Sequence, residues 1–406
     1  MRVLVMTKIF PNGLEPGSSP FNRLQFGALA RLCPVDILAT IPWFPAAQAF
    51  KRWSPAARLG KVPAQERIDE LAVRHPRFLY LPKVGHGFAG PLYAASLAPT
   101  VLRYRGRVDV LLGSWAYPDG FAAVVLARML GVPAVVKVHG SDLNVLSEQE
   151  GPRRHMQWAL PRAARVVTVS RPLADRAAAL GVERDRIDIV PNGIDRERFR
   201  PRSRATARRV LGLPPDVPIV LYVGHLARAK GALDLIRAFS IARDSLGGAR
   251  LVMVGDGADL TACRDLCVEL GVRASLVGAV PHDRIPDWLA ACDLLSLPSW
   301  NEGVPNVVLE ALACGRRVVA THVGGIPDVV DRPELGLLVP PKQPEALAAA
   351  LVQALQTPYD PEELSRSLGV PDWEGSAQAL HRSLLAALED RARDTLARTY
   401  PATQAA

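Results

Sequence analysis

Short apolar runs alternate with amphipathic stretches along most of the chain, which is the pattern of repeated βαβ units. Runs rich in Val, Leu and Ile are typical of strands buried on both faces of a parallel sheet. In the first half we predict strands at 2–6, 34–40, 77–82, 108–112, 134–139, 165–169 and 187–190. In the second half we predict them at 218–223, 250–254, 274–277, 293–297, 317–320 and 335–339. The pattern of strands therefore predicts a separate doubly wound sheet in each half of the chain.

The length of 406 residues suits two domains better than one core. We predict an N-terminal Rossmann-like domain over 1–196 and a C-terminal one over 197–375. The segment 191–216, rich in Pro, Arg and Asp, is predicted to be the linker between them. A last helix, about 376–396, mixes Leu and Ala with charges, and we expect it to pack back on one of the domains, assigned here to the N-terminal one.

Composition is that of an ordinary globular protein, with 49% hydrophobic and 22% charged residues. The net charge of +9 is concentrated in residues 1–196, which carry 26 Lys and Arg against 15 Asp and Glu. A basic domain suits phosphate-bearing substrates or an anionic membrane surface. An arginine-rich composition without any binding role is the other explanation. We find no nucleic-acid-binding motif and predict no nucleic-acid partner.

The N-terminal apolar run is too short for a secretory signal, and no run of about eighteen apolar residues predicts a spanning helix. The 5 cysteines are scattered, and the one close pair, Cys263 and Cys267, lacks the second pair that a zinc site needs. We therefore expect a cytoplasmic protein with reduced thiols, in peripheral contact with the inner face of the cell membrane. The segment 42–63 mixes aromatic and basic residues, so it is either an interfacial membrane element or an ordinary loop.

Two glutamates, Glu302 and Glu310, lie eight apart in a largely apolar stretch. Pro305 suits the first position of a helix, and Gly315 suits its end. The backbone N–H groups of residues 303–307 would then lie at the positive end of that helix, where a phosphate binds well. Because a bound anion would repel both carboxylates, each glutamate is expected to bind a neutral sugar hydroxyl. Capping or surface glutamates are the alternative interpretation.

Four further loops follow predicted strands of the second half. The loop 224–231 carries Arg228 and Lys230, which would neutralise a diphosphate as it leaves, unless it is an ordinary surface loop. A glycine turn at Gly255 permits a nucleotide to approach closely, as does the backbone near Val280, although such turns are common. The loop 324–328 lies at the same expected sheet edge.

Two elements of the first half complete the candidate site. The loop 10–21 follows the first strand and contains Gly17. His139 ends a predicted strand and is followed by Gly140, Ser141 and Asp142. A histidine at a strand end is often purely structural, but the flanking glycine and polar residues favour a functional role.

These residues together resemble family 4 glycosyltransferases, retaining enzymes of the GT-B fold, over nearly the whole chain. The similarity is to bacterial exopolysaccharide and lipid-linked-glycan members. The motifs that carry it are the E-x7-E pair, the Gly-x5-Lys-Gly loop, Val-Pro-Asn-Gly-Ile-Asp at 190–195, Ala-Cys-Gly, Gly-Gly-Ile-Pro, Tyr-Pro-Asp-Gly at 117–120 and His-Gly-Ser-Asp at 139–142. The resemblance implies an α/β protein with two Rossmann-like doubly wound parallel-sheet domains facing across a cleft.

By position, the resemblance implies that His139, Glu302 and Lys230 are the catalytic residues. Glu310 would bind the nucleotide ribose, Glu302 and His139 the sugar, and Lys230 the diphosphate. Family members usually carry Arg where this chain has His225, so Arg228 is our substitute partner for the diphosphate. The remaining donor-binding positions are Gly17, Gly255, Val280, Gly303, Val304, Pro305, Asn306 and Val307.

The chain lacks the Asp-x-Asp triplet with which glycosyltransferases of the other major fold hold a metal. We therefore predict no metal and no cofactor, with a nucleotide-diphosphate sugar as donor substrate. The predicted function is transfer of that sugar to a glycan or lipid-linked acceptor in cell-surface polysaccharide biosynthesis. A nucleotide-sugar isomerase, of the non-hydrolysing 2-epimerase type, and a non-catalytic sugar-nucleotide sensor are the alternatives.

Overall fold

The computed structural model describes residues 1–44, 58–80 and 88–399, with residues 394–399 described by their backbone only. The chain forms two compact units. The first contains Met1–Gly193 and the chain from Trp373 onward, and the second is Ile194–Asp372.

The first unit is built on a mostly parallel sheet with the strand order β10-β9-β8-β7-β1-β2-β5-β4. Strand β1 pairs with β2 on one side and with β7 on the other, so the order reverses between β1 and β7. Loops at the carboxyl ends of these two strands therefore flank a topological switch point, where α/β sheets bind ligands. The strands are β1 Val3–Thr7, β2 Val35–Ala39, β3 Ile41–Trp43, β4 Gln65–Ile68, β5 Leu71–Arg74, β6 Arg77–Leu79, β7 Val110–Ser114, β8 Ala134–Lys137, β9 Arg165–Thr168 and β10 Ile187–Ile189.

Helices cover this sheet, and the final helix, Trp373–Thr399, joins its core through buried Ala377, Leu380 and Leu384. The predicted last helix thus belongs to the first unit. The other helices are α1 Pro20–Ala30, α2 Ala89–Val101, α3 Phe121–Leu130, α4 Ser141–Asn144, α5 Glu150–Ala159 and α6 Arg171–Ala179.

The second unit has an all-parallel sheet with the order β13-β12-β11-β14-β15-β16. Numbered within the unit, this is the 3-2-1-4-5-6 order of dinucleotide-binding sheets, with its switch point between β11 and β14. The strands are β11 Ile219–Val223, β12 Arg250–Val254, β13 Ala274–Gly278, β14 Leu294–Leu297, β15 Arg317–Thr321 and β16 Gly336–Val339. The helices are α7 Arg204–Leu211, α8 Ala232–Ile241, α9 Leu260–Glu269, α10 Ile285–Ala291, α11 Asn306–Ala313, α12 Pro344–Gln356 and α13 Pro361–Ser367.

The predicted strand at 77–82 is present as β6, which ends at Leu79 and lies outside the eight-stranded sheet. Strand β6 pairs with β3 in a separate two-stranded sheet, and β3 itself was not predicted. The β4–β5 hairpin was also missed, because Gln-Glu-Arg-Ile contains no apolar run. Of the segment 42–63, residues 45–57 lie outside the described residues.

The prediction of a linker over 191–216 was wrong, because the chain from Ile194 onward is already part of the second unit. Ile194 forms a bridge with Asp372, and Phe199 is buried in the core of the unit. Helix α7 follows, and its Arg208 donates to the Ala291 carbonyl over 2.9 Å. Arg208, one of the arginines on which the linker prediction rested, therefore binds a backbone carbonyl at the surface of the core.

Candidate active site

Loops at the switch point of the second unit bring Lys230 and Glu302 together. Lys230 follows β11, Glu302 follows β14, and Lys230 Nζ lies 2.7 Å from Glu302 Oε1. Ser299, which the sequence analysis did not single out, donates its hydroxyl to the same oxygen over 2.7 Å. The Glu302 side chain is only 10% exposed, whereas Lys230 is 36% exposed. The pair thus presents an ammonium at the edge where a ligand is expected.

Glycines let these loops approach each other backbone to backbone. Gly231 has φ of 70°, and a Cβ there would lie 1.9 Å from the Pro298 carbonyl oxygen. Gly324 has φ of 54°, and its Cβ would lie 1.9 Å from the Glu302 carbonyl oxygen. Since real Cβ atoms do not come this close, both positions require glycine. The loop that carries Glu302 is therefore packed against glycine backbone on two sides.

The helix predicted after Glu302 is α11, which begins at Asn306. Pro305 has ψ of 118° and is extended, so it is the N-cap and not the first helical residue as predicted. The carbonyl of Gly303 accepts the Gly325 N–H over 2.6 Å, which joins the start of this helix to the loop 324–328. Val304 and Val307 pack against the core. The N-terminus of α11, which has no side-chain cap, is thus held beside the Lys230–Glu302 pair.

Glu310 lies inside α11 and is only 7% exposed. Its Oε1 is 2.8 Å from Nε2 of His282, whose ring lies 5.6 Å from that of Phe199. A buried carboxylate needs such a partner, and the imidazole supplies it. His282 was not predicted, although it follows Val280, which is half-buried against the same core.

Arg228 and Lys342 flank the indole of Trp300. The Arg228 guanidinium carbon lies 5.7 Å from the ring centroid, and Lys342 Nζ lies 4.6 Å from it. The indole N–H donates to Asp234 over 2.7 Å, which fixes the ring. Lys342 was not predicted, because it follows β16, far from Lys230 in sequence. With Lys230, these cations give the edge the positive charge that a diphosphate requires.

The turn at Gly255 also depends on the absence of a side chain. Gly255 has φ of 144°, and a Cβ there would lie 1.8 Å from the Gly224 carbonyl oxygen. The Gly224 N–H in turn donates to the Val254 carbonyl over 3.0 Å. The loop that contains exposed His225 is therefore packed directly on the glycine turn.

His139 belongs to the first unit and follows β8. Its backbone N–H and that of Gly140 donate to the Asp142 carboxylate, over 3.0 Å and 2.7 Å to Oδ1. Its ring lies between Phe21, at 5.0 Å, and Trp115, at 6.1 Å between centroids. Burial, together with the charge of Lys137, holds the pKa of His139 well below its usual value. His139 is therefore neutral at pH 7.

Gly17 lies in the loop after β1, where it is exposed. A Cβ on Gly17 would meet nothing within 4 Å. Packing therefore does not demand glycine at this position, in contrast to Gly231.

Asp119, from the Tyr-Pro-Asp-Gly segment, joins the loops of the first unit's switch point. Its Oδ1 accepts the Lys8 N–H over 2.6 Å and the Tyr93 hydroxyl over 2.8 Å. Burial raises the pKa of Asp119 to about 7, against the opposing effect of the Lys8 charge. This residue anchors the chain after β1 on the segment after β7.

A fully buried lysine, Lys137, lies two residues before His139. Its Nζ donates to Gln25 Oε1, Gln25 Nε2 donates to Ser376 Oγ over 2.8 Å, and Ser376 Oγ donates to the Pro191 carbonyl over 2.6 Å. This chain of hydrogen bonds ties β8 and α1 to the final helix. Burial lowers the pKa of Lys137 to about 7, although Asp142 acts in the opposite direction.

Replacement of Lys137 with methionine should remove the increase in the free energy of unfolding that we expect as the pH rises above about 7. The pKa is about 7 in the folded protein and near 10.5 when unfolded, so the unfolded chain binds the proton more tightly between these values. The free energy of unfolding should therefore increase with pH from about 7 towards 10 in the wild type, and this slope should flatten in Lys137→Met. Urea unfolding at pH 7, 8.5 and 10 measures it, with the exposed Arg264→Met as control. An unchanged slope would show that Lys137 stays charged inside the fold.

Two doubly wound parallel-sheet units in one chain, the second with a lysine, a carboxylate and a helix N-terminus at its switch point, are features of the glycosyltransferases of the GT-B fold. Residues 56–198 match the model of Glycosyltransferase Family 4, and residues 217–357 match that of the Glycosyl transferases group 1. The chain belongs to the family 4 glycosyltransferases, and the predicted family, fold and enzyme class are confirmed.

One relative is the protein provisionally named teichuronic acid biosynthesis glycosyltransferase TuaC of Bacillus subtilis, which is 30% identical over 93% of this chain and 94% of its own. Among solved structures, HepE of Anabaena in complex with UDP matches with a TM-score of 0.67 at 19% identity, over 98% of this chain and 100% of that one. Sucrose-phosphate synthase of Thermosynechococcus elongatus matches with a TM-score of 0.71 at 22% identity, over 99% and 100%. Across the described residues, no helix has both the length and the apolar character needed to cross a membrane.

Proposed function

We propose that the protein transfers a sugar, with retention of anomeric configuration, from a nucleotide-diphosphate sugar to a glycan or lipid-linked acceptor in cell-surface polysaccharide biosynthesis. The contact between Lys230 and Glu302 at the switch point carries this proposal, because it places a cation for phosphate beside a carboxylate for hydroxyls. The name of the Bacillus subtilis relative supports the pathway class, and the UDP complex of HepE supports the donor class.

In this proposal, each part of the nucleotide-sugar donor substrate has a binding partner in the protein. Lys230, Arg228 and the backbone N–H groups of Gly303, Val304, Asn306 and Val307 bind the diphosphate, whose charge increases as the bond to the sugar breaks. Pro305 has no N–H group and shapes the start of the helix. Glu302 accepts from sugar hydroxyls and Glu310 from the ribose. The backbone at Gly255 and near Val280 takes the base, and Gly17 leaves room for phosphate. His139 contacts the sugar, and no metal is required because the cations and the helix N-terminus already neutralise the diphosphate.

A panel of nucleotides tests the donor class directly. We expect UDP, GDP or ADP to raise the melting temperature of the wild type, with the same shift in the presence of EDTA, and the Glu310→Gln variant to lose most of it. An unchanged melting temperature with all three would contradict the proposal. Once the donor is known, NMR of the product reports the anomeric configuration. Conversion of the donor without any acceptor would indicate the isomerase instead.

The excess of basic residues in 1–196 further supports a peripheral position at an anionic membrane. Sedimentation with anionic vesicles should then carry the protein down at low salt and release it at high salt. Equal binding to neutral vesicles would exclude an electrostatic contact.

A further inference from the structure

A closed set of hydrogen bonds beside His139 determines which of its ring nitrogens carries the proton. Asn22, from α1, is fully buried, and its Nδ2 donates to the Ile9 carbonyl over 2.8 Å. This bond fixes the orientation of the amide, because only the nitrogen end can donate to a carbonyl. Asn22 Oδ1 then faces Ser114 Oγ at 3.3 Å.

Ser114 Oγ therefore lies between two possible partners, Asn22 Oδ1 at 3.3 Å and His139 Nε2 at 2.9 Å. The hydroxyl has one proton to donate, and Asn22 Oδ1 is able only to accept. If the proton went to His139 instead, Asn22 Oδ1 would be buried without a donor, at a cost of about 1–3 kcal/mol. The assignment that satisfies every group has the Ser114 hydroxyl donating to Asn22 Oδ1 and accepting a hydrogen bond from the Nε2–H group of His139.

Two further contacts keep Ser114 and the ring in place. Thr7 Oγ1 donates to the Ser114 carbonyl over 2.8 Å, which holds the end of β7 against β1. Phe21, from α1, and Trp115, which follows β7, pack against the imidazole and restrict its plane. The ring cannot therefore rotate to exchange its nitrogens without breaking the bond to Ser114.

We propose that Asn22 and Ser114 are positioning residues that hold His139 as the neutral Nε2–H tautomer, so that Nδ1 presents a lone pair to a hydroxyl of the bound sugar. Within the described part of the chain, no side chain or backbone group donates to Nδ1. This role for Nδ1 rests on the proposed sugar transfer, whereas the tautomer follows from the protein alone.

The charges around the ring support a neutral imidazole. Lys137, the last residue of β8, lowers the pKa of His139. Asp142, on α4, does not bond the ring, because its oxygens accept the backbone N–H groups of Ala116, His139 and Gly140. The Nε2–H group of His139 donates to Ser114, and the pKa of the imidazole is low. His139 therefore orients a sugar hydroxyl by accepting a hydrogen bond at Nδ1, and it does not serve as a general acid.

Nitrogen-15 NMR of the imidazole rings tests the tautomer without any substrate. The signals of His139 are assigned by their loss in His139→Gln, and long-range nitrogen–proton couplings then distinguish a protonated from an unprotonated ring nitrogen. We expect a protonated Nε2 and an unprotonated Nδ1 at pH 7. The reverse pattern would overturn the proposal whatever the enzyme transfers.

The Asn22→Ala variant tests the link from tautomer to activity. With no acceptor at residue 22, Ser114 is free to donate to Nε2, so we expect the Nδ1–H form to appear. The kcat of transfer should fall about tenfold, which corresponds to one lost hydrogen bond, with the donor KM within about twofold. Ser114→Ala should lower kcat similarly, while Ser383→Ala, which removes another buried hydroxyl of this unit, should not.

The two readouts separate the outcomes. A fall in kcat with the Nε2–H tautomer retained in Asn22→Ala would overturn the positioning role, because the loss would then be structural. A change of tautomer with unchanged kcat would overturn the role of Nδ1 as a hydroxyl acceptor. Loss of transfer in Ser383→Ala as well as in Asn22→Ala and Ser114→Ala would also overturn the positioning role, because the effect would not be specific to the hydrogen bonds of His139. An intact nucleotide-induced shift in these variants would show that the proposed donor binding does not fail with it.

Discussion

The Lys230→Ala variant is expected to lose sugar transfer by about 100-fold or more. Lys230 supplies the ammonium nearest to Glu302 at the switch point, and the diphosphate gains negative charge as the sugar leaves. Interactions made mainly in the transition state affect kcat, so most of the loss should appear there. Binding of the free nucleoside diphosphate should weaken by a smaller factor, because Arg228 and the α11 N-terminus remain.

Initial rates and nucleotide thermal shifts measure the two effects separately. Arg264→Ala, which removes an exposed cation from α9, controls for the change in net charge. Lys230→Arg keeps the charge in a different geometry and should recover only part of the rate. Unchanged transfer and nucleotide binding in Lys230→Ala would show that the diphosphate lies elsewhere, and the proposed donor site would then be wrong.

The Gly231→Ala variant should have the largest effect on stability. The new Cβ would meet the Pro298 carbonyl at 1.9 Å, and φ of 70° is unfavourable for alanine. Conformational strain costs about 1–2 kcal/mol. Displacement of packed backbone adds roughly 1–3 kcal/mol. Since Gly231 follows Lys230 directly, the displacement should also move the ammonium and abolish transfer.

Gly212→Ala provides a matched control for the backbone conformation. Gly212 has φ of 65°, but a Cβ there would meet nothing within 4 Å. We expect Gly212→Ala to lose only the conformational strain energy of about 1–2 kcal/mol, with transfer intact. Urea unfolding curves with equal slopes give the two free energies. Equal losses in the two variants would mean that contact with Pro298 does not govern the loop.

Much of the architecture could be predicted from local patterns. Strands buried on both faces are largely apolar, so runs such as Ile219–Val223 and the four residues 251–254 can be recognised in the sequence without knowledge of their partners. Gly231 and Gly255 lie in the loops after these strands. Glycine in such a position predicts a tight loop, because it adopts positive φ values that other residues avoid. The edge hairpin β4–β5 and the segment 191–216 were misassigned, because their places depend on contacts that a polar composition does not reveal.

The partners within the candidate site depend on tertiary structure. Lys230 and Glu302 are 72 residues apart, and they meet because β11 and β14 are neighbours in the sheet. Ser114 and Asn22, 92 residues apart, meet because β7 pairs with β1, which precedes α1. The sequence by itself determined which residue types follow which strands. Only the order of the strands in each sheet decided which of these side chains form hydrogen bonds or ion pairs with each other, because that order brings loops that are distant in sequence to the same edge of the sheet.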